Sequence, residues 1–213
     1  TSTLQQEASR KLGFSVGQTM SVAQRLYESG RITYMRTDST LLSKMALGAA
    51  KKIIGESFGP EYVKTRQYAT RSKGAQEAHE AIRPTFMEQT KTEGSAAEKK
   101  LYELIWKRTL ASQMADAEVD KTQIAIQNSH SANIFTATGE VIVFEGFLKV
   151  YRESTDDDQE KANGKQSATL PYLEPGDMLD AGYIKAIQRF TQSPFRYTEA
   201  SLVKKMEELG IGR

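Results

Sequence analysis

The hydrophobic period of this chain changes near Asp116, and that change sets its fold class. Before it, apolar residues recur at helical spacing. Val16, Met20, Ala23 and Leu26 line one face of a segment that Ser15 caps, with Gln18 as its capping-box partner and Gly30 as its stop. Leu101, Leu104, Ile105, Trp106 and Leu110 form a similar face over 95–114, with Trp106 expected in the core. Further helices are expected over 1–11, ended by Gly13, and over 42–58. After Asp116 the stretches 123–126, 132–137, 141–145 and 147–151 alternate or run apolar. Turn signals at Thr138-Gly139 and Gly146 separate them, the pattern of antiparallel strands. Another strand is expected over 178–190 and an amphipathic helix over 198–209, closed by Gly210. The acidic stretch 153–165 lacks apolar anchors and is expected to be a mobile loop. The class is α+β, with a mainly helical domain at 1–116, a β-rich domain at 117–192 and the start of a further domain at 193–213.

The end of the second helix delivers the chain into a short expected strand at 31–35. Helix, tight turn, helix and strand resemble a winged-helix module. The run Ile32-Thr33-Tyr34-Met35-Arg36-Thr37-Asp38-Ser39 puts a phenol, a guanidinium and a carboxylate at i, i+2 and i+4. On an extended chain those three side chains share a face. A phenol with a free pKa near ~10 is a poor nucleophile at neutral pH. A fixed cation beside it favours the phenolate and grips an anionic substrate such as a phosphodiester. Arg36 suits that task because its planar fork takes phosphate oxygens in pairs. Asp38 is placed to hold Arg36. The plain alternatives are that Tyr34 packs in a core and that Asp38, Ser39 or Thr40 caps the helix that follows.

Charge is uneven. Residues 1–113 hold 18 Lys and Arg against 11 Asp and Glu, a balance of +7, and residues 114–213 hold 11 against 16, a balance of −5. The first part is therefore the one expected to face nucleic acid. The absence of Cys excludes disulfides and thiolate metal sites. No window approaches the ~18 apolar residues of a membrane span, so no membrane partner is expected.

The segment Leu26-Tyr27-Glu28-Ser29-Gly30-Arg31-Ile32-Thr33-Tyr34-Met35-Arg36-Thr37-Asp38-Ser39 resembles the nucleophile motif of bacterial type IA DNA topoisomerases. Three more stretches agree, in the family's order: Thr1-Ser2-Thr3-Leu4-Gln5-Gln6-Glu7-Ala8, Ala78-His79-Glu80-Ala81-Ile82-Arg83-Pro84, and Thr198-Glu199-Ala200-Ser201-Leu202-Val203 on to Gly210-Ile211-Gly212-Arg213. The resemblance covers the whole chain. It implies a torus in which a helical domain carries Tyr34 and a β-rich domain arches over the hole. It implies that Tyr34 attacks DNA to give a 5′-phosphotyrosyl link and a free 3′-hydroxyl. The other strand then passes and the break is resealed without ATP. Arg36 is expected to stabilise the scissile phosphate. His79, Asp38, Arg83 and Gln24 are expected at the DNA, with Arg83 equally suited to holding its own loop.

The same resemblance implies a partner DNA, the single-stranded part of a negatively supercoiled duplex, in the cytoplasm on the nucleoid. It also implies Mg²⁺, bound by an N-terminal acidic domain that this sequence does not hold; no metal ligand is expected in the present residues. The chain lacks an initiating Met and stops inside the last motif, so an internal fragment is expected, inactive in relaxation by itself. The alternative is a non-enzymatic winged-helix DNA-binding module, but a binder has no need of a phenol at Tyr34. Tyrosine recombinases also attack phosphate, but their tyrosine lies on a helix near the C-terminus.

Overall fold

The computed structural model describes residues 1–68, 79–152, 170–191, 193 and 196–211. Helix α1, Ser2–Leu12, ends at Gly13, whose φ of 67° belongs to the left-handed region. Helix α2, Val16–Glu28, begins where the Ser15 side chain accepts the Gln18 N–H. Its end is a Schellman turn. Gly30 donates to the Tyr27 carbonyl and Arg31 to the Leu26 carbonyl, each at 2.8 Å. Helix α3 is Lys44–Ser57, capped by Ser43. Helix α4 is Ala96–Ala111, opened by a reciprocal capping box between Ser95 and Glu98. Helix α5 is Glu199–Glu208, capped by Thr198.

Two apolar clusters hold these helices. The first joins Ala8, Val22, Ala23 and Leu26 to Ile32, Met35, Leu101, Tyr102, Leu104 and Ile105, so it packs α1, α2 and α4 together. The second joins Ala50 and Ile54 of α3 to Tyr62, Met87, Leu110 and Met114. Trp106 touches both and donates its indole N–H to the Met87 carbonyl at 2.9 Å. The buried face of α2 is Thr19, Val22, Ala23 and Leu26, turned slightly from the expected one; Val16 and Met20 are only half-buried. Helix α5 lies on α1, with Ala200 buried and the Ser2 hydroxyl donating to Glu207 at 2.6 Å.

The β region departs from expectation. Strands β1, Glu118–Asn128, and β2, Ser131–Phe144, form one antiparallel hairpin. Its turn is at Ser129-His130, where the Asn128 carboxamide oxygen accepts the N–H groups of His130 and Ser131. Thr138-Gly139 is not a turn: Gly139 sits inside β2 opposite Thr122. The stretch 147–151 is not a strand either. At Gly146 the backbone comes so close to Asp116 that an added Cβ would meet its carbonyl oxygen at 2.3 Å. The chain therefore folds inward as a 3-10 turn over Gly146–Lys149, and Phe147 packs against both cores. Residues 178–190 form no strand, because an alternating pattern needs a neighbour to take its backbone hydrogen bonds. The expected strand at 31–35 is reduced to a single bridge between Ile32 and Pro84.

The α+β class stands, with less sheet than expected. The loop at 153–165 lies outside the described residues, and His79 itself is on no helix or strand. Among the described residues no helix is long and apolar enough to cross a membrane.

Candidate active site

The Schellman turn releases the chain at Arg31 into a non-helical run that reaches Thr40. Burial alternates along it. Met35, Thr37 and Ser39 are buried, and Tyr34, Arg36, Asp38 and Thr40 are exposed. The phenol, guanidinium and carboxylate are thus all exposed, although the run bends at 33 and 35–36 and no strand forms. The alternative of a helix cap at 38–40 is not what forms, since Ser43 caps α3.

Side chains and loops from distant motifs satisfy this backbone in place of a ladder. The Thr1 hydroxyl donates to the Met35 carbonyl at 2.7 Å and accepts the Thr37 N–H at 3.0 Å, so it clamps the chain on both sides of Arg36. On the other flank runs a strap, residues 79–85. Thr33 donates its N–H to the Arg83 carbonyl, and Thr85 donates to the Arg31 carbonyl, both at 2.9 Å. The Thr33 hydroxyl donates to the Ala81 carbonyl at 2.8 Å.

Arg83 is what stiffens the strap. It is buried, and its guanidinium forks onto Glu80 at 2.6 and 2.9 Å while donating to the Pro84 and Thr85 carbonyls. Glu80 in turn accepts the Ser43 N–H at 2.7 Å, tying the strap to the start of α3. Burial alone would raise the Glu80 carboxyl; the Arg83 fork and the Ser43 amide outweigh it and hold the carboxyl below its ordinary range. Of the two roles the sequence left open for Arg83, holding the loop is the one its contacts serve. Its donors face protein oxygens, not solvent.

The strap brings His79 to Tyr34, with ring centroids 6.0 Å apart and planes at 82°. Tyr27 of α2 meets the same ring at 5.2 Å and 64°. Sequence reasoning passed over Tyr27. The available signal was its place one turn after Gln24, at the last turn of the helix that leads into Tyr34. Gln24 is half-buried and donates to Glu28 at 2.7 Å. Arg36 makes no hydrogen bond or ion pair among the described residues, so Asp38 does not hold it. Both line a cleft of about 1500 Å³ whose wall includes His79, Arg66 and Arg108. His130 stands apart at the hairpin turn.

An exposed phenol two positions before an exposed guanidinium that has no partner among the described residues, with further cations along the neighbouring cleft, suits attack on a phosphodiester. Among the described residues no group of three or more His, Asp or Glu is placed to hold a metal ion.

The family model for DNA topoisomerase matches residues 1–213. DNA topoisomerase 1 of Zymomonas mobilis is 52% identical over all of this chain, which spans 18% of that protein. DNA topoisomerase 1 of Mycolicibacterium smegmatis is 51% identical, again over the whole chain and 24% of the relative. Among solved structures, full-length topoisomerase I of Thermotoga maritima matches with a TM-score of 0.75 and 38% identity, covering 100% of this chain and 35% of that one. The chain thus spans about a fifth to a quarter of the length of these curated relatives.

Proposed function

Because the chain belongs to the bacterial DNA topoisomerase I family, the type IA class, we propose that it carries the nucleophile side of a DNA strand-breaking and rejoining site. The Tyr34 oxygen attacks a phosphorus in the single-stranded part of negatively supercoiled DNA. A phosphotyrosyl bond forms at the 5′ end, and the bond to the 3′ oxygen breaks. That oxygen takes up a proton and leaves as a hydroxyl, while the phenol gives up its own. After the other strand has passed, the 3′-hydroxyl attacks the phosphotyrosine and restores the DNA. The energy of the broken bond is kept in the new one, so ATP is not needed.

Arg36 supplies positive charge to the phosphate as negative charge builds on it. His79, when protonated, donates to a neighbouring phosphate. Asp38 and Gln24 contact the DNA flanking the break. The metal-binding acidic residues and the remaining strand-capturing surfaces belong to parts of such enzymes outside these residues. The 1–116 region acts as the DNA-facing unit and the hairpin region as part of an arch.

The observation that carries this reading is the exposure of Tyr34, Arg36 and Asp38 along one short run, with His79 against the Tyr34 ring. The test is covalent capture of single-stranded DNA by the complete gene product under denaturing quench. Tyr34→Phe is expected to abolish the adduct and leave DNA affinity within about twofold, since it removes one oxygen and little contact area. An adduct formed by the Phe variant would overturn the assignment.

A further inference from the structure

We propose that Tyr27 is a positioning residue for Tyr34: its ring, standing edge-on to the nucleophile, fixes where the phenol oxygen sits before DNA arrives. The inference rests on Tyr34 being the nucleophile. The need for such a residue follows from the backbone. Tyr34 lies two residues past the lone Ile32–Pro84 bridge, and among the described residues no strand flanks it to confine its ring. Rings do so instead. Tyr27 approaches at 5.2 Å and 64°, and His79 at 6.0 Å and 82°, both edge-to-face arrangements that the ring quadrupoles favour.

Tyr27 is itself well anchored. Its carbonyl accepts the Gly30 N–H in the helix-ending turn, and the adjacent Leu26 is buried in the first core. The contact is not a by-product of core packing, because Tyr27 is 40% exposed and Tyr34 39%. The Tyr27 hydroxyl makes no hydrogen bond among the described residues, so the ring is the part that acts. Holding the nucleophile in its attacking orientation converts a search into a fixed geometry, and rates respond steeply to misplacement.

The test measures single-turnover adduct formation at saturating single-stranded DNA in the complete gene product. Tyr27→Ala is expected to slow the step by about tenfold, the upper range for loss of one edge-to-face contact. DNA affinity and the melting temperature should stay close to wild type, and Tyr27→Phe should restore the full rate. A wild-type rate in Tyr27→Ala overturns the proposal. So does a Phe variant as slow as the Ala variant, or an affinity loss that accounts for the slow rate.

A second readout needs no activity. The ring resonances of Tyr34, assigned by loss in Tyr34→Phe, should move when the Tyr27 ring current is removed in Tyr27→Leu, and unmoved resonances overturn the placement. If Tyr34→Phe still forms an adduct, the nucleophile reading fails while the ring-current experiment continues to report on the contact.

Discussion

The surroundings of Tyr34 and the region after Asp116 handle the same physical problem in opposite ways. Both contain extended chain, and extended chain leaves backbone donors and acceptors to be satisfied. Around Tyr34 they are met by the Thr1 hydroxyl, the Thr33 hydroxyl and the 79–85 strap, all within one folded body. After Asp116 one hairpin pairs with itself, and residues 178–190 pair with nothing among the described residues. Ile134, Phe135, Val141 and Val143 on the hairpin stay exposed, as do Met178, Ile184, Ile187 and Phe190 beyond it. A chemical site needs its geometry held from several sides, and the first region is built that way. The second keeps strand-forming residues without the packing that would define them.

Substitutions at four positions sharpen or break this contrast. The largest effect is expected at Arg36, which is exposed and unbonded and so contributes to chemistry without contributing to the fold. Arg36→Ala should slow adduct formation by ~10²–10³ with an unchanged melting temperature, the scale of losing one charge-stabilising donor. Arg36→Lys should recover only part, lacking the paired fork. A full-rate Ala variant would move the cation's role to another residue.

Arg83 should behave in the opposite sense, its main effect falling on stability. Arg83→Ala breaks a pair whose arginine is buried and whose carboxylate is partly open, so a loss of about 3 kcal/mol is expected in denaturant unfolding. The pair also has a pH signature. The Glu80 carboxyl is depressed below its ordinary value of 4.5. Its contribution is therefore complete above that value and is lost as pH falls through the lower folded value. Glu80→Gln should flatten the stability profile in that acid window; an unchanged profile would show that the pair contributes no pH-dependent stability.

The smallest effect belongs to the hairpin. Phe135→Thr should change stability by less than about 0.5 kcal/mol, because the side chain is 48% exposed and the ladder is kept. A loss several times larger, read by the same unfolding curve, would mean that this face is packed after all and would erase the contrast.

The difference between the regions also explains what could be seen in the sequence. Helices satisfy their own backbone, so caps at Ser15 and Ser95 and stops at Gly13 and Gly30 mark their ends locally. The exposure of Tyr34, Arg36 and Asp38 follows the expected alternation, every second residue of the run being buried even without a strand. The clamp from Thr1 was not, since nothing local says which distant hydroxyl a carbonyl will meet. Burial of Arg83 was hidden for the same reason: its fork on Glu80 is three residues away, but the Pro84 and Thr85 carbonyls and the Ser43 amide complete the setting. Gly146 read as a turn between strands, and only its approach to Asp116 shows that the chain dives inward there. Residues 178–190 read as a strand, but no local signal says whether a neighbour will take its backbone hydrogen bonds.

Trp106 is the chain's one tryptophan, and it stands where the α1–α2–α4 core meets the α3 core. It is thus a built-in fluorescent gauge of whether the two melt as one. A single cooperative change in its emission, matched by the loss of helical circular dichroism, would mean that the scaffold behind Tyr34 and the base of the hairpin share one fate. Two separated steps would mean that the nucleophile can keep its setting while the neighbouring layer loosens.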